Sequence, residues 1–92
     1  MAIEVRIPTI LRTYTGGEKA VTGDGAVLSA LIDDLEANHP GLKDRLIEDG
    51  DLRRFVNVYV NDEDVRFTGG LETSLSDGDQ VVVLPAVAGG AV

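Results

Sequence analysis

The stretch that decides the fold reads QVVVLP at positions 80–85, and AVAGGAV follows it at positions 86–92. Four consecutive apolar residues fill both faces of an extended strand, which is typical of a strand in the middle of a sheet. Pro85 has no N–H to donate to a neighbouring strand, so the ladder of hydrogen bonds ends there. The sequence therefore predicts a domain over residues 1–85, closed by a central strand, and an extended tail over residues 86–92.

Further strands are predicted upstream by apolar residues that alternate with period two. One strand covers residues 2–7 and forms a hairpin, across the Gly16-Gly17 turn, with a short strand at 18–22. Another covers residues 54–60 and returns at 63–67. The side chains predicted to face inward are Ile3, Val5, Ile7, Val56, Val58, Val60, Val81 and Val83.

A single main helix lies between these strands. Apolar residues recur at helical spacing from Val27 to Leu35, Asp24 is a plausible N-cap, and His39-Pro40 stops the helix. Leu42 and Leu46 predict one further helical turn with both side chains inward. We therefore expect an α+β fold in which one helix covers one face of a mixed four- to five-stranded sheet, with the first and last strands parallel neighbours.

Composition excludes several classes of protein. The 92 residues carry a net charge of −8, which disfavours binding to a nucleic-acid backbone, and the absence of Cys excludes a disulfide scaffold and a thiol nucleophile. One His is too few for a His-rich metal site, and no metal site is predicted. No apolar stretch approaches the ~20 residues that span a bilayer. We find no phosphate-binding loop and no catalytic constellation, so we expect a non-enzymatic cytoplasmic protein.

The tail contains no charged side chain. Residues 86–90 extend about 17 Å, which exceeds the radius of gyration of about 12 Å expected for the domain. Gly89-Gly90 lacks Cβ atoms, so this segment can pass through a narrow channel in another protein. Composition alone leaves open the alternative of a frayed terminus.

The chain resembles the ThiS/MoaD family of ubiquitin-like sulfur carrier proteins, which have the β-grasp fold. The resemblance rests on the turn at 76–79, the last strand and the diglycine tail. It is closest to the carrier of an actinobacterial cysteine-biosynthesis route, through blocks at 8–12, 15–17, 55–67 and 84–90. Together these blocks span nearly the whole chain. The departure is Ala91-Val92, because working carriers of this family end at the second glycine.

The resemblance implies a mechanism and a set of partners. A JAMM-type zinc peptidase would cut between Gly90 and Ala91, and an E1-like adenylyltransferase/sulfurtransferase would use ATP to convert Gly90 to a thiocarboxylate. A cysteine synthase that depends on pyridoxal phosphate would then accept the sulfur. ATP, zinc and pyridoxal phosphate would belong to these partners, and no cofactor is expected on this chain. The tail residues that would enter the partners are Ala86, Val87, Ala88, Gly89 and Gly90.

Partner recognition is predicted on the sheet face that the helix leaves open. By alternation, the apolar side chains on this face are Phe55, Tyr59, Val82 and Leu84. Other functions remain open: a sulfur carrier for molybdopterin, thiamin or another metabolite, and a ubiquitin-like protein modifier or interaction module. The net charge favours encounter with basic partner surfaces.

Overall fold

The computed structural model describes residues 2–54 and 56–85. The strands of its main sheet are β1 (Ile3–Arg6), β2 (Ala20–Gly23), β5 (Val56–Val60), β6 (Glu63–Asp64) and β7 (Gln80–Pro85). They lie in the order β2-β1-β7-β5-β6. β7 is the central strand, parallel to β1 and antiparallel to β5. The predicted fold class, the parallel first and last strands and the central position of β7 are confirmed.

The core lies between this sheet and α1 (Leu28–Asn38). Alternation places Ile3, Val5 and Ile7 inward, and each is no more than 3% exposed. The helix contributes an apolar stripe at helical spacing to the same core. Buried members of that stripe and of the facing strands are Leu28, Leu31, Ile32, Leu35, Val58, Val60, Val81 and Val83.

The start of α1 differs from the prediction. Val27 rather than Asp24 is the N-cap, and no side chain caps the helix. The Leu28 N–H, which has no partner within the helix, donates to the Thr73 carbonyl oxygen at 3.0 Å, beside a backbone bridge between Val27 and Ser74. A distant loop therefore satisfies the helix terminus, which local spacing cannot reveal.

A second short helix, α2 (Leu42–Leu46), follows the predicted stop and buries Leu42 and Leu46 as expected. The Glu36 carboxylate accepts hydrogen bonds from the backbone N–H groups of Lys43 at 2.9 Å and Gly41 at 3.1 Å. These bonds, that from Lys43 first, lower the pKa of Glu36. Glu36 thus fixes the turn that joins the two helices.

Two strands are shorter than predicted. β2 begins at Ala20 rather than residue 18, and β6 ends at Asp64, where the side chain accepts the Arg66 N–H at 2.9 Å and favours a 3-10 turn over a longer strand. A further 3-10 helix spans Gly70–Glu72. A separate small hairpin, β3 (Ile47–Glu48) with β4 (Asp51–Leu52), was not predicted.

The segment Thr9–Thr15 forms a 3-10 helix. It ends at Gly16, whose φ of 65° lies in the left-handed region that glycine adopts without strain. Within this helix the Leu11 and Thr15 side chains are buried, whereas Ile10 is 67% exposed. This short helix therefore stands beside the end of β7 and carries an apolar side chain into solvent.

Candidate functional site

Two regions meet at the last described residue of the chain, Pro85. One is the open face of the sheet and the other is a pair of grooves beside Pro85. The tail residues Ala86 to Val92, including Gly89, Gly90 and Ala91, and the predicted contact residue Phe55 lie outside the described residues. The roles predicted for them stay predictions, as does the domain boundary after residue 85.

The register between β5 and β7 brings the other predicted contact residues together. Tyr59 lies directly opposite Val82, and Leu84 is two residues farther along the same strand. Val81 and Val83 are 1% and 3% exposed, whereas Leu84 is 45% exposed. The assignment of faces on β7 is therefore confirmed.

Tyr59, Val82 and Leu84 line one shallow depression of about 250 Å³, with Asp62 at its rim. Tyr59 and Val82 are half-buried, so their apolar surface is held in place while part of it still meets solvent. An apolar strip of this kind can bind the apolar surface of a partner without any change in the fold.

The two grooves share one wall, made by Pro8, Ile10, Val83 and Pro85. The first groove, of about 420 Å³, extends towards Tyr14 and α2. The second, of about 380 Å³, extends towards β1 and the outer end of β7. The 3-10 helix at Thr9–Thr15 builds the shared wall. Neither groove follows from the sequence, because no periodic pattern in residues 9–15 indicates the 3-10 helix that forms the wall.

Arg66 fixes the beginning of β5 next to these grooves. Its guanidinium donates to the Val56 carbonyl oxygen at 2.7 Å, to Asn57 Oδ1 at 2.6 Å and to the Arg53 carbonyl oxygen at 3.4 Å. The three acceptors stand on either side of residue 55. A planar guanidinium can hold several acceptors in one fixed arrangement, so Arg66 positions this segment of backbone.

The described residues offer little for chemistry of their own. No group of three or more His, Asp or Glu within 2–54 and 56–85 could hold a metal ion. No helix in that same part of the chain is long and apolar enough to cross a membrane. What the arrangement provides is a rigid platform with an apolar face and grooves around the point where the tail begins.

Comparisons with known proteins identify this arrangement. The ThiS family matches residues 5–90. The sulfur carrier protein CysO of Mycobacterium tuberculosis is 59% identical over 98% of this chain and 100% of its own length. The small archaeal modifier protein 3 of Haloferax volcanii is 40% identical over 98% of this chain and 100% of its own length.

A solved structure agrees with these relatives. A chain in the crystal structure of the Amycolatopsis orientalis BexX/CysO complex superposes with a TM-score of 0.93 and 61% identity, over 97% of this chain and 100% of that one. That relative is thus seen together with a partner protein. The chain described here belongs to the ThiS family, and it is a carrier rather than a catalyst.

Proposed function

We propose that this chain carries sulfur for cysteine biosynthesis as a thiocarboxylate on Gly90, formed after Ala91-Val92 has been removed. The observation that supports this most is the extent of the family match, which runs to residue 90 and leaves out the last two residues. The name and 59% identity of the mycobacterial relative support the sulfur cargo and the cysteine route.

The proposed steps balance without any redox change at the glycyl carbon. A zinc peptidase adds water across the Gly90–Ala91 peptide bond and frees the Gly90 carboxylate. This group is ionised at neutral pH, because the pKa of a terminal carboxyl is about 3.3–3.7, and it is a poor electrophile. Attack of the carboxylate on the α-phosphorus of ATP releases pyrophosphate and gives an acyl adenylate. A donor at the oxidation level of sulfide then displaces AMP and leaves the thiocarboxylate.

Sulfur transfer follows when the thiocarboxylate attacks an electrophilic carbon on the acceptor enzyme. In the cysteine route this carbon belongs to an amino-acid fragment held by a pyridoxal phosphate enzyme, and cysteine is then cut from the tail. ATP, zinc and pyridoxal phosphate act on the partners in this scheme. The carrier contributes reach and recognition, and the need for ATP fits the cytoplasmic setting.

The described residues support a role in delivery. β7 has a strand on each side, so the sheet fixes the position of Pro85, the residue that precedes the tail. The strip formed by Tyr59, Val82 and Leu84 stands on the same strands, and we assign it to partner contact together with Phe55. The tail residues Ala86 to Gly89 then span the distance to the reacting centre of the partner.

The experiment is a reconstitution with three versions of the chain: full length, ending at Gly90, and ending at Gly89. Each is incubated with ATP and a purified E1-like enzyme of the host, and the acyl adenylate is measured by pyrophosphate exchange. Only the chain ending at Gly90 should exchange, and prior treatment with the peptidase should make the full-length chain active. Equal exchange by all three versions would contradict the proposal.

A second candidate is supported by the archaeal relative, which is named a modifier protein and is 40% identical. Conjugation would use the same adenylate but transfer Gly90 to a lysine of another protein. An antibody blot of host cells distinguishes the two: conjugation gives a series of heavier species, whereas a dedicated sulfur carrier gives only the free protein.

A further inference from the structure

The two grooves beside Pro85 carry the opposite charge to the rest of the molecule. The chain has sixteen acidic and eight basic side chains, yet among the described residues five basic ones line these grooves and no acidic one does. Arg6, Arg12 and Lys19 line the second groove, and Arg45 and Arg53 line the first. We call these five residues the basic collar.

Most of the collar is not neutralised by the protein itself. Within residues 2–54 and 56–85, only Arg53 of the five forms an ion pair, at 3.4 Å from Glu48. Arg6 and Lys19 are exposed. An exposed cation without a carboxylate neighbour keeps its full field towards an approaching molecule.

Three of the arginines are held in place by a hydrogen bond from Nε, and two of these three keep their terminal nitrogens free for an external acceptor. Each donates through Nε to a neutral oxygen: Arg12 to the Ile7 carbonyl at 3.1 Å, Arg45 to the Tyr14 hydroxyl at 2.7 Å, and Arg53 to the Asp44 carbonyl at 2.8 Å. The Arg45 guanidinium also stands over the Tyr14 ring, 5.4 Å from its centre. In Arg12 and Arg45 the two terminal nitrogens remain available, which is the geometry that binds a carboxylate through two hydrogen bonds.

We propose that the basic collar docks an acidic, partly apolar segment of the adenylating enzyme that receives the tail. The inference rests on the proposed function for the identity of that enzyme. Charge complementarity selects carboxylates, and the apolar wall formed by Pro8, Ile10 and Pro85 selects apolar side chains between them. Because the collar lines the grooves beside Pro85, the last described residue before the tail, the acidic segment would lie beside the mouth of the channel that the tail enters.

The collar would then act on orientation. The net charge of −8 sets the field at long range, but at contact distance the sign around Pro85 is reversed. An acidic segment would be repelled by most of the surface and attracted only where the tail leaves the domain. Such complementarity raises the rate of productive encounter and fixes the docked orientation more than it raises affinity.

The first test needs no partner enzyme. The isotope-labelled chain is titrated with an acidic peptide of glutamate and leucine, with a basic peptide of lysine and leucine, and with inorganic phosphate at equal ionic strength, while backbone amide signals are followed by NMR. The acidic peptide should shift amides of the collar residues and of Leu84, and the shifts should fade in high salt. The basic peptide should leave these amides unchanged.

Three results would overturn the proposal. Equal shifts with both peptides would mean that only the apolar wall binds. The same shifts with phosphate would mean a site for small anions. A concentration-dependent dimer in sedimentation experiments that is lost in the variant Arg6→Gln/Lys19→Gln would mean that the collar binds a second copy of this chain.

The second test uses the chain ending at Gly90 and the adenylating enzyme. The double variant Arg6→Gln/Lys19→Gln removes two collar charges that form no internal hydrogen bond in the described structure, and Lys43→Glu is the matched control, because it changes the net charge equally at the exposed pair with Asp33. The double variant should raise KM about tenfold, equivalent to about 1.4 kcal/mol, with kcat unchanged, and the control should leave both constants unchanged. Equal KM values for all three proteins would overturn the docking role of the collar. If the unmodified chain forms no adenylate, the proposed function is refuted, and the peptide titration then decides whether the collar binds an acidic segment.

Discussion

The two ends of the central strand differ in charge and in the way that they are held. At the Gln80 end, acidic side chains accept local hydrogen bonds: Asp79 binds the Ser76 N–H at 2.8 Å and the Asn61 amide at 3.0 Å, and Glu4 binds the Gln80 side chain at 2.8 Å. At the Pro85 end, the strand has a residue without an N–H, an apolar wall and the basic collar. Hydrogen bonds anchor the strand at the Gln80 end, whereas the Pro85 end leaves apolar and basic side chains open to contact.

This difference shows how a domain with a small core fixes one end of its central strand and leaves the other end open for contact. The central strand needs neighbours on both edges for rigidity, and its anchored end supplies turn bonds that hold the register. The opposite end then projects from a fixed point. The following predictions compare the two ends, in order of decreasing effect.

Neighbouring valines on β7 should separate folding from recognition most clearly. Val81 is 1% exposed, and we expect Val81→Ala to lower the free energy of unfolding by about 2 kcal/mol, because two buried methyl groups are lost and a cavity remains. Val82→Ala, on the open face, should cost much less stability and weaken partner binding. Urea unfolding measures the loss of stability in both variants, and equal losses would show that the two faces are not distinct.

The anchored end should respond to the loss of its turn carboxylate. Asp79→Ala removes the acceptor of two hydrogen bonds, and we expect a loss of about 1.5 kcal/mol in the free energy of unfolding. Glu63→Ala, at an exposed position of the neighbouring strand β6, is the control and should have little effect. A thermal melt compares them, and a variant as stable as the control would contradict the anchoring role.

The open face should respond in binding rather than in stability. Leu84→Ser should weaken binding to the adenylating enzyme about tenfold, which corresponds to about 1.4 kcal/mol, with an unchanged melting temperature. Phe67→Ser is the control, because Phe67 is 85% exposed but does not line the depression at Tyr59. Equal losses of affinity in both variants would remove the case for a defined contact strip.

The smallest effect is expected at the helix turn, away from both ends. The pKa of Glu36 is lowered in the folded state from the ordinary value of 4.5, mainly by the bond from the Lys43 N–H. The unfolded chain therefore takes up this proton at a higher pH than the folded chain does, so the stability that Glu36 contributes is present above pH 4.5 and is lost as the pH falls through its lowered pKa. Glu36→Gln should flatten the acid limb of the stability curve, whereas Glu18→Gln, at an exposed position, should leave the limb unchanged.

The sequence predicted the parts of the fold that follow from periodic apolar residues. Alternation in β1 and β5, the unbroken apolar run of β7 and the helical spacing of Leu28, Leu31 and Leu35 all indicate burial, so these elements were predicted correctly. The sequence also predicted the tail and its diglycine, because an uncharged run of small residues follows the central strand.

The remaining features depend on contacts between distant segments. The start of α1 is set by the Thr73 carbonyl oxygen, and β6 is shortened by the Asp64 side chain, so neither follows from periodicity. The basic collar was missed for a related reason. Its five cations are spread from Arg6 to Arg53, and they become one surface only when the 3-10 helix at Thr9–Thr15 closes against Pro85.

The central claim is tested most directly by intact mass spectrometry of the protein recovered from its own host during growth that demands sulfur assimilation. The account predicts a chain that ends at Gly90 and is heavier than the free acid by the difference between one sulfur and one oxygen atom. Recovery of only the full-length chain, still ending in Ala91-Val92 and without added sulfur, would contradict it.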